Sequence, residues 1–169
     1  MAEKDKPYQT IIHPLKPLFG ADSRILILGS FPSVKTREYG FFYGHPRNRF
    51  WPIMEALFHE ELTREIADRR DFLLKHRIAV YDSIAQCDII GSSDASIQKV
   101  IPSDLSEVFQ HGSIRQVFCN GAASQKYYKK YHEKLYAIPA IQLPSTSPAN
   151  AGYSMDDLLA EWKQILDYL

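Results

Sequence analysis

Cysteine is scarce in this chain. Two are present, Cys87 and Cys119, which gives neither a disulfide framework nor the spacing of a zinc site. A reducing cytoplasm is the compartment such a sequence fits. Long apolar runs are also missing: none approaches the roughly 20 residues needed to cross a bilayer. The charged start, Met1-Ala2-Glu3-Lys4-Asp5-Lys6, lacks the apolar stretch of a signal peptide. No membrane partner is expected. Net charge is absent too, because 20 Lys and Arg balance 20 Asp and Glu, so no global positive field recruits a nucleic acid. Glycine-rich phosphate loops of the GxGxxG and Walker kinds do not occur, which counts against a hydrolase of free nucleotides. Internal repeats and low-complexity segments are lacking as well.

What remains is an ordinary globular composition. Hydrophobic residues make up 45% and charged residues 24% of 169 positions, a balance and a length that suit one domain over 1–169 with one core. Pro7, Pro14, Pro17 and Gly20 break up the first 23 residues, which read as an irregular arm. Arg24-Ile25-Leu26-Ile27-Leu28 is a continuous apolar run ending at Gly29, as expected of a strand covered on both faces. Ile78–Tyr81, Gln116–Cys119 and Ala140–Leu143 are three more short strands. Residues 30–47 read as a long loop and 88–103 as a polar, turn-rich stretch.

Helices are expected from about Asn48 to Phe58, with Pro52 tolerated in the first turn, and from a Thr63 cap to about His76. Further helices are expected around 103–110 and over Ala122–His132. The last runs from Ser154 to Leu166, with Ser154 capping and Asp157 three residues on. Strands alternating with helices imply parallel pairing with right-handed crossovers. The expected fold is an α/β/α sandwich of three layers around a central, mainly parallel four-stranded sheet. In such sheets the ligand lies beyond the carboxyl ends of the strands, where Gly29–Ser33, Asn120-Gly121 and Pro144–Asn150 begin.

Three segments carry chemistry. Gly29-Ser30-Phe31-Pro32-Ser33 leaves the first strand in a tight turn. Between Lys35 and Arg49 four basic residues (Lys35, Arg37, Arg47, Arg49) and one acid, Glu38, are interleaved with Tyr39, Phe41, Phe42 and Tyr43. Gripping phosphates and stacking a base require that combination, although a solvated loop beside core aromatics has the same composition. Within it, Asn48 is open to two readings, a helix cap or a polar group for chemistry, and His45 reads first as a structural loop histidine. Ser145-Thr146-Ser147-Pro148-Ala149-Asn150 packs hydroxyls and an amide into six positions, and such groups hold phosphate oxygens without net charge.

Taken in order, Gly-Ser-Phe-Pro-Ser, His-Pro-Arg-Asn-Arg-Phe-Trp and Leu-Pro-Ser-Thr-Ser-Pro-Ala-Asn resemble the deoxyinosine branch of the uracil-DNA glycosylase superfamily. Asn48-Arg49-Phe50-Trp51 is similar to a tetrad of the mismatch-specific glycosylases, and Gly91–Ile97 resembles the branch's middle loop. The likeness spans roughly residues 25–155. It implies a base-flipping cleft at the strand ends. Better-known members carry a catalytic Asp or Asn two residues after the first glycine, where Phe31 stands here. They carry His or Asn at the position of Ser145, and an intercalating leucine at that of Ala149. The resemblance to the deoxyinosine branch makes Asn48 the catalytic polar group.

On this basis the expected substrate is DNA containing a deaminated base, hypoxanthine before uracil. The expected protein is a monomer with no cofactor, no metal and no obligatory partner. Phe31, with Phe42 or Tyr43, stacks the extruded base, and Asn120 reads its edge with a donor and an acceptor. Ser30, Ser33, Ser145 and Ser147 hold phosphates, helped by Lys35 and Arg47, while Ala149, Asn150 or Tyr153 fills the gap in the duplex. Asn48 cannot titrate; it orients water and presents its carbonyl dipole to the sugar cation. Asp82, at the end of the second strand, is its rival as a true base, with a structural strand-end role as the alternative. Two other functions stay open: a damage-binding module without cleavage, and a hydrolase of free nucleosides or nucleotides.

Overall fold

The computed structural model describes residues 6–169; residues 1–5, the beginning of the expected arm, lie outside them. Four strands, β2 (Ile25–Gly29), β3 (Ile78–Asp82), β6 (Gln116–Asn120) and β7 (Ala140–Leu143), form a sheet in the order β3-β2-β6-β7. All three pairings are parallel. Ile25 to Leu28 are 0% exposed, which is why their sequence shows no alternation: both faces of β2 are covered. These are the four strands expected, with β3 and β6 each one residue longer and ending on Asp82 and Asn120.

Helices α2 (Phe50–Phe58), α3 (Ile66–Lys75), α4 (Ser106–His111), α5 (Ala122–Tyr131), α6 (Glu133–Tyr136) and α7 (Met155–Trp162) fill the connections, and a 3-10 turn over Lys163–Tyr168 ends the chain. Helix α5 packs on β2, β6 and β7, α3 on β3, and α2 on α7. The capping box of α7 forms as expected: Ser154 Oγ accepts from the Asp157 N–H and the Asp157 carboxylate accepts from the Ser154 N–H. Thr63 does not cap α3, which starts at Ile66. Its hydroxyl instead accepts from the Glu65 N–H and donates to Asp68, closing the turn before the helix. Among the described residues, no helix is long and apolar enough to cross a membrane.

Three further expectations are corrected. The 30–47 loop holds a helix, α1 (Val34–Tyr39), capped by the Ser33 hydroxyl and ended by Gly40 in the left-handed region. The arm is not irregular throughout: it contains β1 (Gln9–Ile12). The stretch 88–103 takes in the end of β4 (Ile84–Ile89) and all of β5 (Gln98–Pro102). These three strands pair antiparallel as β1-β4-β5, a second sheet that the hydrophobic pattern did not announce. Most of β1 and β5 faces solvent, and register shifts at Gln86 break the alternation of β4 against β5.

Two apolar clusters result. The larger surrounds the parallel sheet; the smaller joins Phe31, Ile84, Cys87, Ile89 and Tyr127. Helix α5 serves both, Tyr128 facing the first and Tyr127 the second. Register then positions the functional edge. Gly29 pairs with Asp82, Leu28 with Cys119, and Asn120 with Leu143, so Asp82, Gly29, Asn120 and Leu143 form one row at the carboxyl rim.

Candidate active site

Above that rim lies a cleft of about 690 Å³. Twelve residues singled out in the sequence line it: Ser30, Phe31, Ser33, Lys35, Phe42, Tyr43, Asn48, Asp82, Asn120, Ser145, Ser147 and Ala149. Arg47 is exposed and lies outside it. Asn150 and Tyr153 line a smaller depression of about 410 Å³ that shares Ser145, Ser147 and Ala149 with the cleft.

One wall is built from amides. The Thr146 N–H donates to Asn120 Oδ1 at 3.0 Å, and Asn120 Nδ2 donates to Thr146 Oγ1 at 3.0 Å. The Thr146 hydroxyl passes its proton on to Asn48 Oδ1 at 2.8 Å, which also accepts from the Phe50 N–H at 2.9 Å. A backbone N–H can only donate, so the orientation of both amides is fixed by chemistry. Thr146 is 0% exposed and Arg49 N–H donates to its carbonyl. The N-cap position of α2 is Arg49, without a side-chain cap; Asn48, one residue before it, closes the turn into the helix by accepting from the first helical N–H, and lines the cleft as well. One part of its expected chemistry is corrected: both lone pairs of Oδ1 are taken, so its carbonyl cannot be turned to a sugar cation. What it still offers is the Nδ2 donor.

The opposite wall carries the acid. Asp82 is 5% exposed, and its Oδ2 lies 2.6 Å from His13 Nε2. The Leu15 N–H donates to His13 Nδ1 at 3.0 Å, so the ring proton sits on Nε2 and is donated to the carboxylate. Asp82 Oδ1 lies on the side of Gly29, where a Cβ would come within 2.4 Å of it and 3.6 Å of the Tyr43 hydroxyl. Only glycine lets the carboxylate pack this close to β2. The Tyr43 hydroxyl is buried with no hydrogen-bond partner. Burial raises its pKa first and the Asp82 charge raises it further; the Asn120 amide is near enough to moderate this without meeting hydrogen-bond geometry. Tyr43 itself stands at φ 54°, a backbone region that bulky residues rarely occupy.

The aromatic groups divide in the same way. Phe31 meets the His13 ring edge-on at 5.8 Å between centroids and is 8% exposed, while Phe42 is 3% exposed. Tyr43 stacks on Phe50 at 4.1 Å, so one face of its ring is already occupied. Of the basic stretch, Lys35 is exposed with Glu38 3.4 Å away. Arg49 is not free for phosphates: it donates to the carbonyls of Asn150 and Tyr153, clamping the 144–153 loop. Arg37 is half-buried, with Nε unpartnered.

The four serines behave differently from one another. Ser33 caps α1 through Thr36. Ser30 donates to the Asp94 carboxylate at 2.8 Å. Both hydroxyl protons are thus committed within the protein, and an anion beside Ser30 would meet a carboxylate, which corrects their expected use on phosphate. Ser145 and Ser147 accept from the Ser147 and Ala149 N–H groups, which leaves their hydroxyl protons to turn outward. Asn150 is a brace rather than a free wedge, its Nδ2 donating to the Ser145 carbonyl. Ala149 and Tyr153 are exposed at that rim.

Sequence reasoning assigned no individual role to His13, Thr146 or Asp94, Thr146 figuring only as one hydroxyl of the Ser145–Asn150 loop. His13 looked like part of an arm. Thr146 sat between two serines that received the attention; its alternation with them in an extended loop was the available signal. Among the described residues no group of three His, Cys, Asp or Glu could hold a metal.

The chain is similar to known proteins in sequence and in fold. The sequence profile of the uracil DNA glycosylase superfamily matches residues 17–169. The chain is similar to a hypoxanthine DNA glycosylase of Methanosarcina acetivorans, 29% identical over 85% of this chain and 90% of that protein. It is also similar to one of Methanosarcina barkeri, 28% identical over 66% and 72%. A solution NMR structure from M. acetivorans, described as that of a candidate uracil DNA glycosylase, superposes with a TM-score of 0.75 at 27% identity, covering 92% of this chain and 96% of the other.

Proposed function

The chain belongs to the uracil DNA glycosylase superfamily, and from that premise we propose that it is a monofunctional DNA glycosylase that hydrolyses the N-glycosidic bond of a deaminated base flipped out of DNA, leaving an abasic site. Hypoxanthine is the first substrate, as in the names of the Methanosarcina relatives, with uracil second. The enzyme works as a cytoplasmic monomer without cofactor or obligatory partner. One observation carries this reading. The carboxyl ends of β3 and β6 and the loop before α2 bring Asp82, Asn120 and Asn48 to one cleft large enough for a base.

Extrusion costs a few kcal/mol, less where the base is already mispaired, and hypoxanthine pairs poorly with thymine. Phe31 and Phe42 supply the stacking surface, and the exposed edge of Tyr43 completes it. Asn120 keeps one amide proton and one lone pair after its bonds to Thr146, enough to read a base edge that shows a donor beside an acceptor. Ser145 and Ser147 hold phosphates with Lys35 and Arg47 adding charge from the rim, and Ala149 with Tyr153 fills the vacated stack. Asn48 acts through Nδ2, donating to the attacking water or to the base as negative charge develops on it.

Oligonucleotides carrying hypoxanthine, uracil or xanthine, single- and double-stranded, test this after alkaline cleavage of abasic sites. Breaks at hypoxanthine are expected. Binding without breaks would make the protein a damage sensor, and no DNA binding would send the cleft to free nucleosides. Asn48→Ala should slow release by on the order of 10²–10³ while costing about 1 kcal/mol of stability through the lost hydrogen bonds from the Phe50 N–H and the Thr146 hydroxyl.

A further inference from the structure

We propose that Asp82 takes the proton from the attacking water, that His13 is the positioning residue that aims it, and that the buried Tyr43 hydroxyl limits where that carboxylate can turn. This rests on the glycosylase reading and names the proton acceptor it leaves unassigned. Asn48 cannot serve, because an amide does not titrate usefully and its oxygen is doubly occupied.

Asp82 has the asymmetry a base needs. Its Oδ2 is tied to His13 Nε2 at 2.6 Å, while its Oδ1 takes no hydrogen bond from the described residues and lies beside Gly29 in the cleft lining. A carboxylate oxygen left open to the cleft can take a proton from a molecule bound there. His13 cannot swing: its Nδ1 accepts from the Leu15 N–H, its own N–H donates to the Ala85 carbonyl at 2.7 Å, and its side chain is 1% exposed. It touches no substrate and acts through Asp82 alone.

The Tyr43 hydroxyl is the other unmatched group. It is buried, has no partner, and lies on the same side of Gly29 as Asp82 Oδ1. The phenol, closed to solvent, and the carboxylate both crowd the bare Gly29 position, so Tyr43 limits where Oδ1 can turn. The left-handed backbone of Tyr43 belongs with this, since strain of order 1–3 kcal/mol persists where surrounding structure enforces it.

The step balances without a further reactant. The C1′–N9 bond breaks and its electron pair leaves with hypoxanthine. The water oxygen bonds to C1′ as Asp82 Oδ1 takes its proton. That proton then passes to the released base or to solvent, restoring the carboxylate, whose charge meanwhile opposes that of the sugar cation.

The test compares single-turnover release of hypoxanthine with duplex affinity in the full-length protein. Asp82→Asn keeps volume and the bond from His13, and should cut the rate by about 10²–10⁴ while leaving the Kd within about threefold. His13→Leu should lower the rate by on the order of tenfold or more at unchanged Kd, and His13→Gln, which restores a donor, should recover most of it. Asp82→Asn within about threefold of the parent rate, or equal rates for the two His13 variants, overturns the proposal. If Asp82→Asn does not fold, the His13 pair still decides. A parent protein that releases no hypoxanthine sinks the glycosylase reading and the dyad together, whereas an active parent with equally active variants sinks only the dyad.

Discussion

The two walls of the cleft are satisfied to different degrees. On the amide wall each hydrogen bond hands on to the next: the Thr146 N–H fixes Asn120, Asn120 donates to the Thr146 hydroxyl, that hydroxyl donates to Asn48, and the Phe50 N–H closes the chain. On the acid wall the chain stops short. His13 holds one carboxylate oxygen, the other is left over, and a buried phenol beside it has no partner. Satisfied polar networks rigidify a structure, and unsatisfied buried groups are costly unless something arrives to complete them. The difference teaches a division of labour: one wall holds shape, the other waits for a reactant.

The sharpest way to break this comparison is Gly29→Ala. Its methyl group would stand 2.4 Å from Asp82 Oδ1, so the carboxylate must turn away from the cleft or give up His13. No charge or polar group is removed, yet release should fall by on the order of 10² or more, with a stability cost of about 1–3 kcal/mol. A parent-like rate, read by single turnover beside thermal unfolding, would mean that the placement of Oδ1 is immaterial.

Thr146→Val tests the other wall at nearly constant volume. It strips the acceptor from Asn120 Nδ2 and one donor from Asn48 in a fully buried place, which should cost about 1–3 kcal/mol. With both asparagines loosened, release should slow by on the order of tenfold and preference for hypoxanthine over uracil should narrow. Thermal unfolding that matches the parent, with unchanged base preference, would show that the amide chain does not set the site's shape.

How much of this was legible follows from the same physics. Strands covered on both faces write unbroken apolar runs, so β2, β3, β6 and β7 could be read, and each run ends on a residue of the rim. Because Asp82 and Asn120 close two of those runs, they could be proposed for the site from sequence. The antiparallel sheet could not be read: only Ile11 of β1 is even partly covered, and the shifts at Gln86 scramble the alternation of β4. His13 follows that first strand and so passed as arm. The basic stretch was legible as composition, but not in direction. Lys35 points to solvent while Arg49 spends its donors on loop carbonyls, and nothing in the order of residues separates the two.

Asp94 gives the smallest effect and the one of opposite sign. The residue is exposed overall, but its carboxyl is tucked under Ser30, whose hydroxyl it accepts at 2.8 Å. Burial pushes its pKa up most, the Ser30 bond pulls it down, and the Asp82 charge pushes it up again. An acid raised in the folded state binds protons there more readily than in the unfolded chain, so stability falls as pH rises from the unfolded value through the raised one. Asp94→Asn should therefore match the parent below about pH 3.8 and be the more stable protein at neutral pH, as thermal unfolding across pH would show. In a cleft that must receive phosphates the same substitution removes a like charge and should tighten duplex binding by about two- to fivefold at low salt, an advantage that fades as salt screens it. Release of the base should hardly change, because Asp94 belongs to neither wall. Should Asp94→Asn instead lower the rate a hundredfold while Asp82→Asn does not, the proton acceptor would lie on the middle loop, and the acid wall drawn around His13 would be only a brace for the strand end.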